Sequence, residues 1–369
     1  MSGSSVAVHR LQVFGFCVAS QPSGRHASAT IWASQQLFVT LYLTRSWFMA
    51  RSFRTAAWPV ALLLTLLGVS APVAQADPGL LLIAHGSPSA SWNQPVLDFG
   101  NRVADAVRKG KRFRAVRTAM LEAGQPDIPA AVAQLEAEGC DRIVAVPLFI
   151  APTGHTHFDV PAALGIFFSP RTAESLKQEG VHAAQPKVPV VLTATLAESD
   201  VLAEFVADQV RKLSRSPQEE ALVILTHGDP DHELLVERLM RRIATQVCGQ
   251  SGIRYADWAY VGMGQEYPTR GLPAIHEAIK RKGRVLVVGV YLATSAQGLH
   301  QRAAAHGRRA AEPLPGEVVF SGDTLLAHPA LLEWVVAVAH APLASCPAQT
   351  TSAAAGPPAG GQAAQTVGR

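Results

Sequence analysis

Apolar and polar positions follow two rhythms along this chain. Leu80–Ala84 is an unbroken apolar run, the pattern of a strand buried on both faces. Val96, Phe99, Val103 and Val107 then recur at helical spacing. Ala115–Leu121 predicts a second strand. Ile128–Leu135 predicts a helix with Pro129 in its first turn, where a missing N–H breaks no helical bond, and Gly139 ends it. Arg142–Ile150 and Val188–Leu192 read as a third and fourth strand, and Ser199–Leu213 as a helix. The rhythm then restarts. Strands are expected at Leu222–Leu225, Trp258–Val261, Arg284–Val290 and Val318–Phe320, with helices at Glu233–Val247, Leu272–Ile279, around Ala303 and at Pro329–Val338. Strands alternating with helices predict an α/β fold of parallel sheets flanked by helices.

The restart is a repeat in detail. His85-Gly86 follows the first strand, and His227-Gly228 follows its counterpart 142 residues later. Glu122 precedes Pro129-Ala130 as Glu266 precedes Pro273-Ala274, and a second histidine comes after the next strand, His155 in one half and His300 in the other. Two tandem similar units are therefore expected, at 77–214 and 218–343, joined through Ser214-Arg215-Ser216-Pro217. Residues 344–369 are mostly Ala, Gly, Pro, Gln and Thr, with almost nothing to bury, and are expected to be a disordered tail.

The N-terminal 1–76 changes the charge picture. The formal net charge is +4, but residues 1–76 hold five arginines and no Asp, Glu or Lys; without them the 32 basic residues fall to 27, against 28 acidic. A near-neutral body gives no electrostatic case for nucleic acid. Met49-Ala50-Arg51-Ser52-Phe53-Arg54, the apolar run Trp58–Val69 and Ala74-Gln75-Ala76 are the three parts of a secretory signal peptide. This places the start at Met49 and cleavage after Ala76, and expects an exported, periplasmic protein that touches membrane only through this segment if it stays uncleaved. Cys17, Cys140, Cys248 and Cys346 form no C-x-x-C, so neither a zinc ribbon nor a thioredoxin motif is indicated.

Ligands of parallel sheets bind beyond the carboxyl ends of the strands. His85 directly follows the first strand, His155 lies just past the third, and Glu122 ends the second. Two imidazoles and a carboxylate suit a divalent first-row metal, with His or Glu able to accept a proton. Gly86, Ser87 and Gly154 sit where backbone would pass close to a flat ligand. A single histidine after a strand is more often a turn or core residue; three candidates on one edge, echoed in a second half, favour a site. His157 reads as exposed, and His182, His232, His276, His306, His328 and His340 as surface. No arginine precedes His85 or His227 to bind phosphate, and neither a G-x-G-x-x-G after a strand, a P-loop nor a G-x-S-x-G elbow is present.

Leu82-Ile83-Ala84-His85-Gly86-Ser87, Leu121-Glu122 with Pro126-Asp127-Ile128-Pro129, and Val146-Pro147-Leu148-Phe149 with Gly154-His155 and Asp159-Val160-Pro161 together resemble the sirohydrochlorin cobaltochelatase family, the CbiX type of class II chelatase. The resemblance runs over roughly residues 79–310 and is stronger in the first half. It implies two α/β units facing each other across a cleft for a planar tetrapyrrole. It also implies a lyase-type chelatase that inserts a divalent metal, Co²⁺ first, with Fe²⁺ and Ni²⁺ as alternatives. His85 and His155 would hold the metal, and Glu122 would join them in catalysis. The metal is a substrate, and no nucleotide or redox cofactor is implied. Ala304 stands where the first half has Asp159, and Asp229 replaces Ser87, so His227, Glu266 and His300 form a weaker second site. An exported tetrapyrrole- or metal-binding protein without turnover is the alternative, and a homo-oligomer is left open.

Overall fold

The computed structural model describes residues 77–306 and 313–345. The signal-like segment, Cys17, Cys346 and the C-terminal tail fall outside these residues. The first half runs β1 (Pro78–Ala84), α1 (Ala90–Arg108), β2 (Ala115–Met120), α2 (Ile128–Ala137), β3 (Arg142–Pro147), a π-type turn (His155–Asp159), the short helix α3 (Val160–Ala163), α4 (Pro170–Gln178), β4 (Val190–Leu192) and α5 (Val201–Leu213). The second half runs β5 (Glu220–Thr226), α6 (Glu233–Ser251), β6 (Tyr255–Tyr260), a second π-type turn (Tyr267–Gly271), α7 (Leu272–Arg281), β7 (Arg284–Val290), α8 (Ala296–His306), β8 (Glu317–Phe320) and α9 (Pro329–Ser345). The helix over Pro170–Gln178 has no counterpart in the sequence reading. Its mean polarity is high, and its start is set by Ser169, whose hydroxyl accepts from the Thr172 amide, and by Pro170 at the first position.

Each half contributes one four-stranded sheet, ordered β2-β1-β3-β4 and β6-β5-β7-β8, with every pairing parallel. β1 and β5 are interior strands, and all seven residues of each are buried, which is why they read as unbroken apolar runs. The period-two alternation still operates inside that run. Leu80 and Leu82 of β1 face one core with Val144 and Val146, whereas Leu81 and Ile83 face a second core with Ile143, Ala145 and α2.

The first of these cores is continuous between the sheets, because Leu222, Ile224, Leu286 and Val288 of the second sheet line it too. The helices that fill it are exchanged. α5 follows the first sheet but packs on β7 and α6; α9 follows the second sheet but packs on β3, α1 and α5. Phe205 on α5 is fully buried, and its ring meets His328 edge-on at 5.4 Å. His328, expected at the surface, is instead buried, with Nε2 2.7 Å from Asp208 Oδ2 on α5. Both sheets lie in one compact unit. Cys140 and Cys248 are free and buried, acting as small apolar residues. Among the described residues no helix is long and apolar enough to cross a membrane.

The segment expected to be a linker is pinned. Glu220, 1% exposed at the start of β5, accepts from the Ser214 hydroxyl, from the Arg215 amide at 2.8 Å and the Ser216 amide at 3.2 Å, and pairs with Arg284. Burial favours the neutral acid, but these donors and the Arg284 charge outweigh it and hold the carboxyl below the ordinary glutamate range. That stabilisation is complete above the unfolded pKa of about 4.3 and is lost as pH falls through the depressed folded value. Glu220→Gln is expected to lower the unfolding free energy at pH 7 by about 3–5 kcal/mol, the cost of breaking a buried pair. It should also flatten the loss of stability below pH ~4 expected of the wild type, as urea titrations across pH would read it.

Candidate functional site

The chain leaves β1 for β2 on one side and returns to β3 on the other, so the crevice between the carboxyl ends of β1 and β3 is the switch point of the first sheet. His85 is the first residue after β1. Beyond β2 the Leu121 amide still donates to Ala84 O at 2.8 Å, which draws Glu122 alongside His85. Here Gly86 is required: a Cβ would lie 1.7 Å from Glu122 O. His85 Nδ1 is 2.6 Å from Glu122 Oε1. A carboxylate can only accept, so Nδ1 carries the hydrogen. Glu122 Oε2 is buried without a hydrogen-bond partner among the described residues. The next residue, Ala123, adopts φ 49°, a left-handed conformation that costs a residue with a Cβ about 1–3 kcal/mol.

His155 opens the π-type turn, which closes with the Val160 amide on His155 O. Pro161 has no N–H to extend the ordinary helical ladder backwards, which suits the wider turn. The turn carries Asp159 onto the same side as His155, with Nδ1 2.8 Å from Asp159 Oδ2. Burial works against the charged imidazole of His155, but the Asp159 hydrogen bond and the charges of Glu122, Asp159 and Glu179 prevail and raise its pKa.

The rings of His85 and His155 lie 4.7 Å apart at 86°, and Phe149, just after β3, packs edge-on against His85 at 4.7 Å. Both histidines spend Nδ1 on a carboxylate and leave Nε2, the arrangement in which an outer carboxylate orients a metal-binding imidazole. Among the described residues no group of three His, Cys, Asp or Glu side chains is placed to hold one ion.

The other candidates take different positions. Ser87 shapes the start of α1: its amide and carbonyl are bridged by the Asn93 side chain at 2.9 and 2.8 Å, and its hydroxyl accepts from the Ser89 amide. A Cβ on Gly154 would make only ordinary contacts, 3.6 Å to His232 Cε1 and 3.9 Å to Asp159 Oδ2. His232, expected at the surface, is thus half-buried beside the first half's turn. Arg108, Lys109, Lys111, Arg112 and Arg114 lie from the end of α1 to the start of β2, at the amino ends of the strands and away from the histidines; Arg114 pairs there with Asp77 at 2.8 Å.

In the second half, His227 is exposed and donates from Nδ1 to Gly228 O at 2.7 Å, and Glu266 is exposed. His300 is held by the Tyr267 hydroxyl at 2.8 Å and stacks on Phe320 at 4.3 Å; burial lowers its pKa. Among the described residues no hydrogen bond, ion pair or ring contact joins His227, Glu266 and His300. Asp159, Phe149 and Asn93 were missed as site residues. Asp159 and Phe149 lie in the stretches that carry the family resemblance, and Asp159 also stands at i,i+4 from His155.

Two parallel-sheet halves, the first with two carboxylate-backed imidazoles at its switch point, define an α/β protein with a candidate metal-binding site. Residues 79–213 match the CbiX family model. A sirohydrochlorin cobaltochelatase of Saccharolobus solfataricus is 38% identical over 88 residues, 24% of this chain and 64% of that one. One from Sulfurisphaera tokodaii is 29% identical over 138 residues, 37% of this chain and 98% of that one. The solved structure of SirB from Bacillus subtilis with Fe³⁺ superposes with a TM-score of 0.53 at 12% identity, covering 73% of this chain and 98% of that chain, and so shares the fold. The likeness to the CbiX family thus rests on residues 79–213, the first half of the described fold. The chain spans roughly three fifths of the length of the first curated relatives it matches.

Gly86→Ala should push β1's exit loop off Glu122 and lower the unfolding free energy by about 1–3 kcal/mol, the usual cost of overpacking. Gly154→Ala should change it by no more than about 0.5 kcal/mol. Urea denaturation of the two variants against wild type checks the contrast.

Proposed function

We propose that the protein inserts a divalent metal, Co²⁺ in the first instance, into a tetrapyrrole of the sirohydrochlorin type. The observation that carries this reading is the close, edge-to-face pair of His85 and His155, each backed through Nδ1 by its own carboxylate. Nε2 of each ring binds the incoming ion. Glu122 and Asp159 fix the tautomer and raise the basicity of that nitrogen. The buried, unpartnered Oε2 of Glu122 adds negative potential beneath the ion. Gly86 and Gly154 keep side chains out of the path of a flat ring. The match of residues 79–213 to the CbiX family model and the cobaltochelatase names of the relatives support cobalt and sirohydrochlorin; imidazole and carboxylate also accept Fe²⁺ and Ni²⁺.

His227, Glu266 and His300 have no comparable arrangement, so a single centre in the first half is proposed. The same reading has the protein exported to the periplasm, on the pattern of Met49–Ala76.

The full-length chain, mixed with sirohydrochlorin and Co²⁺, should show the absorbance change of metal insertion. His85→Ala combined with His155→Ala should abolish it. Asp159→Asn should lower metal affinity or activity about 10- to 100-fold, as loss of an outer carboxylate does. Tight stoichiometric binding of the ring without insertion would favour a carrier instead. Edman sequencing of the mature protein from the native host should begin at Asp77.

A further inference from the structure

His232 belongs to the second half and to none of the repeated motifs, yet it lies beside the first half's site. A methyl group on Gly154, the residue before His155, would sit 3.6 Å from His232 Cε1 and 3.9 Å from Asp159 Oδ2. Asp229 holds His232 there. Its carboxylate caps the turn Pro230–His232, accepting from the amides of Asp231 at 2.9 Å and His232 at 3.3 Å, and takes the Nδ1 hydrogen of His232 at 3.1 Å. The imidazole is therefore oriented through the same nitrogen, onto the same kind of acceptor, as His85 and His155. Nε2 is again left over, and the side chain keeps 23% of its surface in solvent. Asp229 stands where the first half has Ser87, so the departure from the repeat creates this arrangement.

Metal insertion needs a group of this kind. As M²⁺ enters, two pyrrole N–H bonds break, the electron pairs stay on nitrogen and bind the metal, and two protons must leave. An imidazole whose Nε2 lone pair holds the ion cannot take a proton at that atom. The Nδ1 atoms of His85 and His155 already carry hydrogens committed to Glu122 and Asp159. Among the described residues no third His, Cys, Asp or Glu joins the pair in position to hold one ion, so His232 stands beside the ligands and not among them.

We propose that His232 is the base that removes these protons. Each passes in turn from a pyrrole nitrogen to His232 Nε2, and from the imidazolium to water at its exposed edge. The inference rests on the chelatase reading. Glu122 is the competing acceptor through its unpartnered Oε2.

The test compares full-length wild type with His232→Gln, His232→Ala and Glu122→Gln. It measures Co²⁺ affinity by direct titration without the ring, and insertion into sirohydrochlorin at saturating Co²⁺. Loss of the base should lower kcat about 10²- to 10⁴-fold in both His232 variants, with Co²⁺ affinity unchanged. 2,6-Dimethylpyridine, a hindered base that binds metals poorly, should partly restore His232→Ala. Unchanged kcat in His232→Gln overturns the inference. So does a fall in Co²⁺ affinity matching that of His155→Ala, which would make His232 a ligand. A kcat loss confined to Glu122→Gln assigns the protons to Glu122 instead. Absence of insertion by wild type is a separate result, which overturns the chelatase reading and the inference with it.

Discussion

The adjacency of β1 and β3 in one parallel sheet is the constraint on which this protein depends. Neither strand carries chemistry. Their carboxyl ends, however, are held one strand spacing apart by a ladder running from Pro78–Arg142 to Ile83–Pro147. Residues 85 and 155, seventy positions apart in the chain, are thereby delivered to the same crevice. The ladder is buried on both faces, so water does not compete for its hydrogen bonds and the spacing is rigid. What remains is orientation, and each histidine obtains it from a different local device. A glycine-permitted close approach brings Glu122 to His85, and a widened helical turn brings Asp159 to His155.

The two halves share a core as well as a topology. With α5 crossing to the second sheet and α9 crossing to the first, neither half buries its inner face alone. The second half is therefore kept by packing even where its own histidines have taken other partners. His300 is tied to Tyr267 and Phe320, and His227 to its own neighbour's carbonyl. The same fusion brings the loop after β5, with Asp229 and His232, against the turn that carries His155.

Much of this was legible in the chain. Buried interior strands announce themselves as apolar runs, and a histidine directly after such a run falls on the ligand-binding edge of any parallel sheet. Pro129 and Pro273 marked helix starts through a property of the residue itself. The polar helix Pro170–Gln178 was not legible, since it offers too few apolar positions to show a period. Asp159 sat in a recognisable motif, but its role depended on a π-type turn that i,i+4 spacing alone does not specify. The surface readings of His328 and His232 failed for one reason. Each is covered by an element from the opposite half, α5 for His328 and the His155 turn for His232, and local sequence carries no record of such a contact.

By itself, then, the sequence determined the α/β class, the repeated strand-histidine steps and the edge on which His85, Glu122 and His155 fall, because these follow from local periodicity and strand polarity. The tertiary structure alone decided which carboxylate orients which imidazole, that the second half's histidines do not meet, and that a residue of one half borders the site of the other. Those outcomes turn on distances between segments far apart in the chain, and such distances are set by packing.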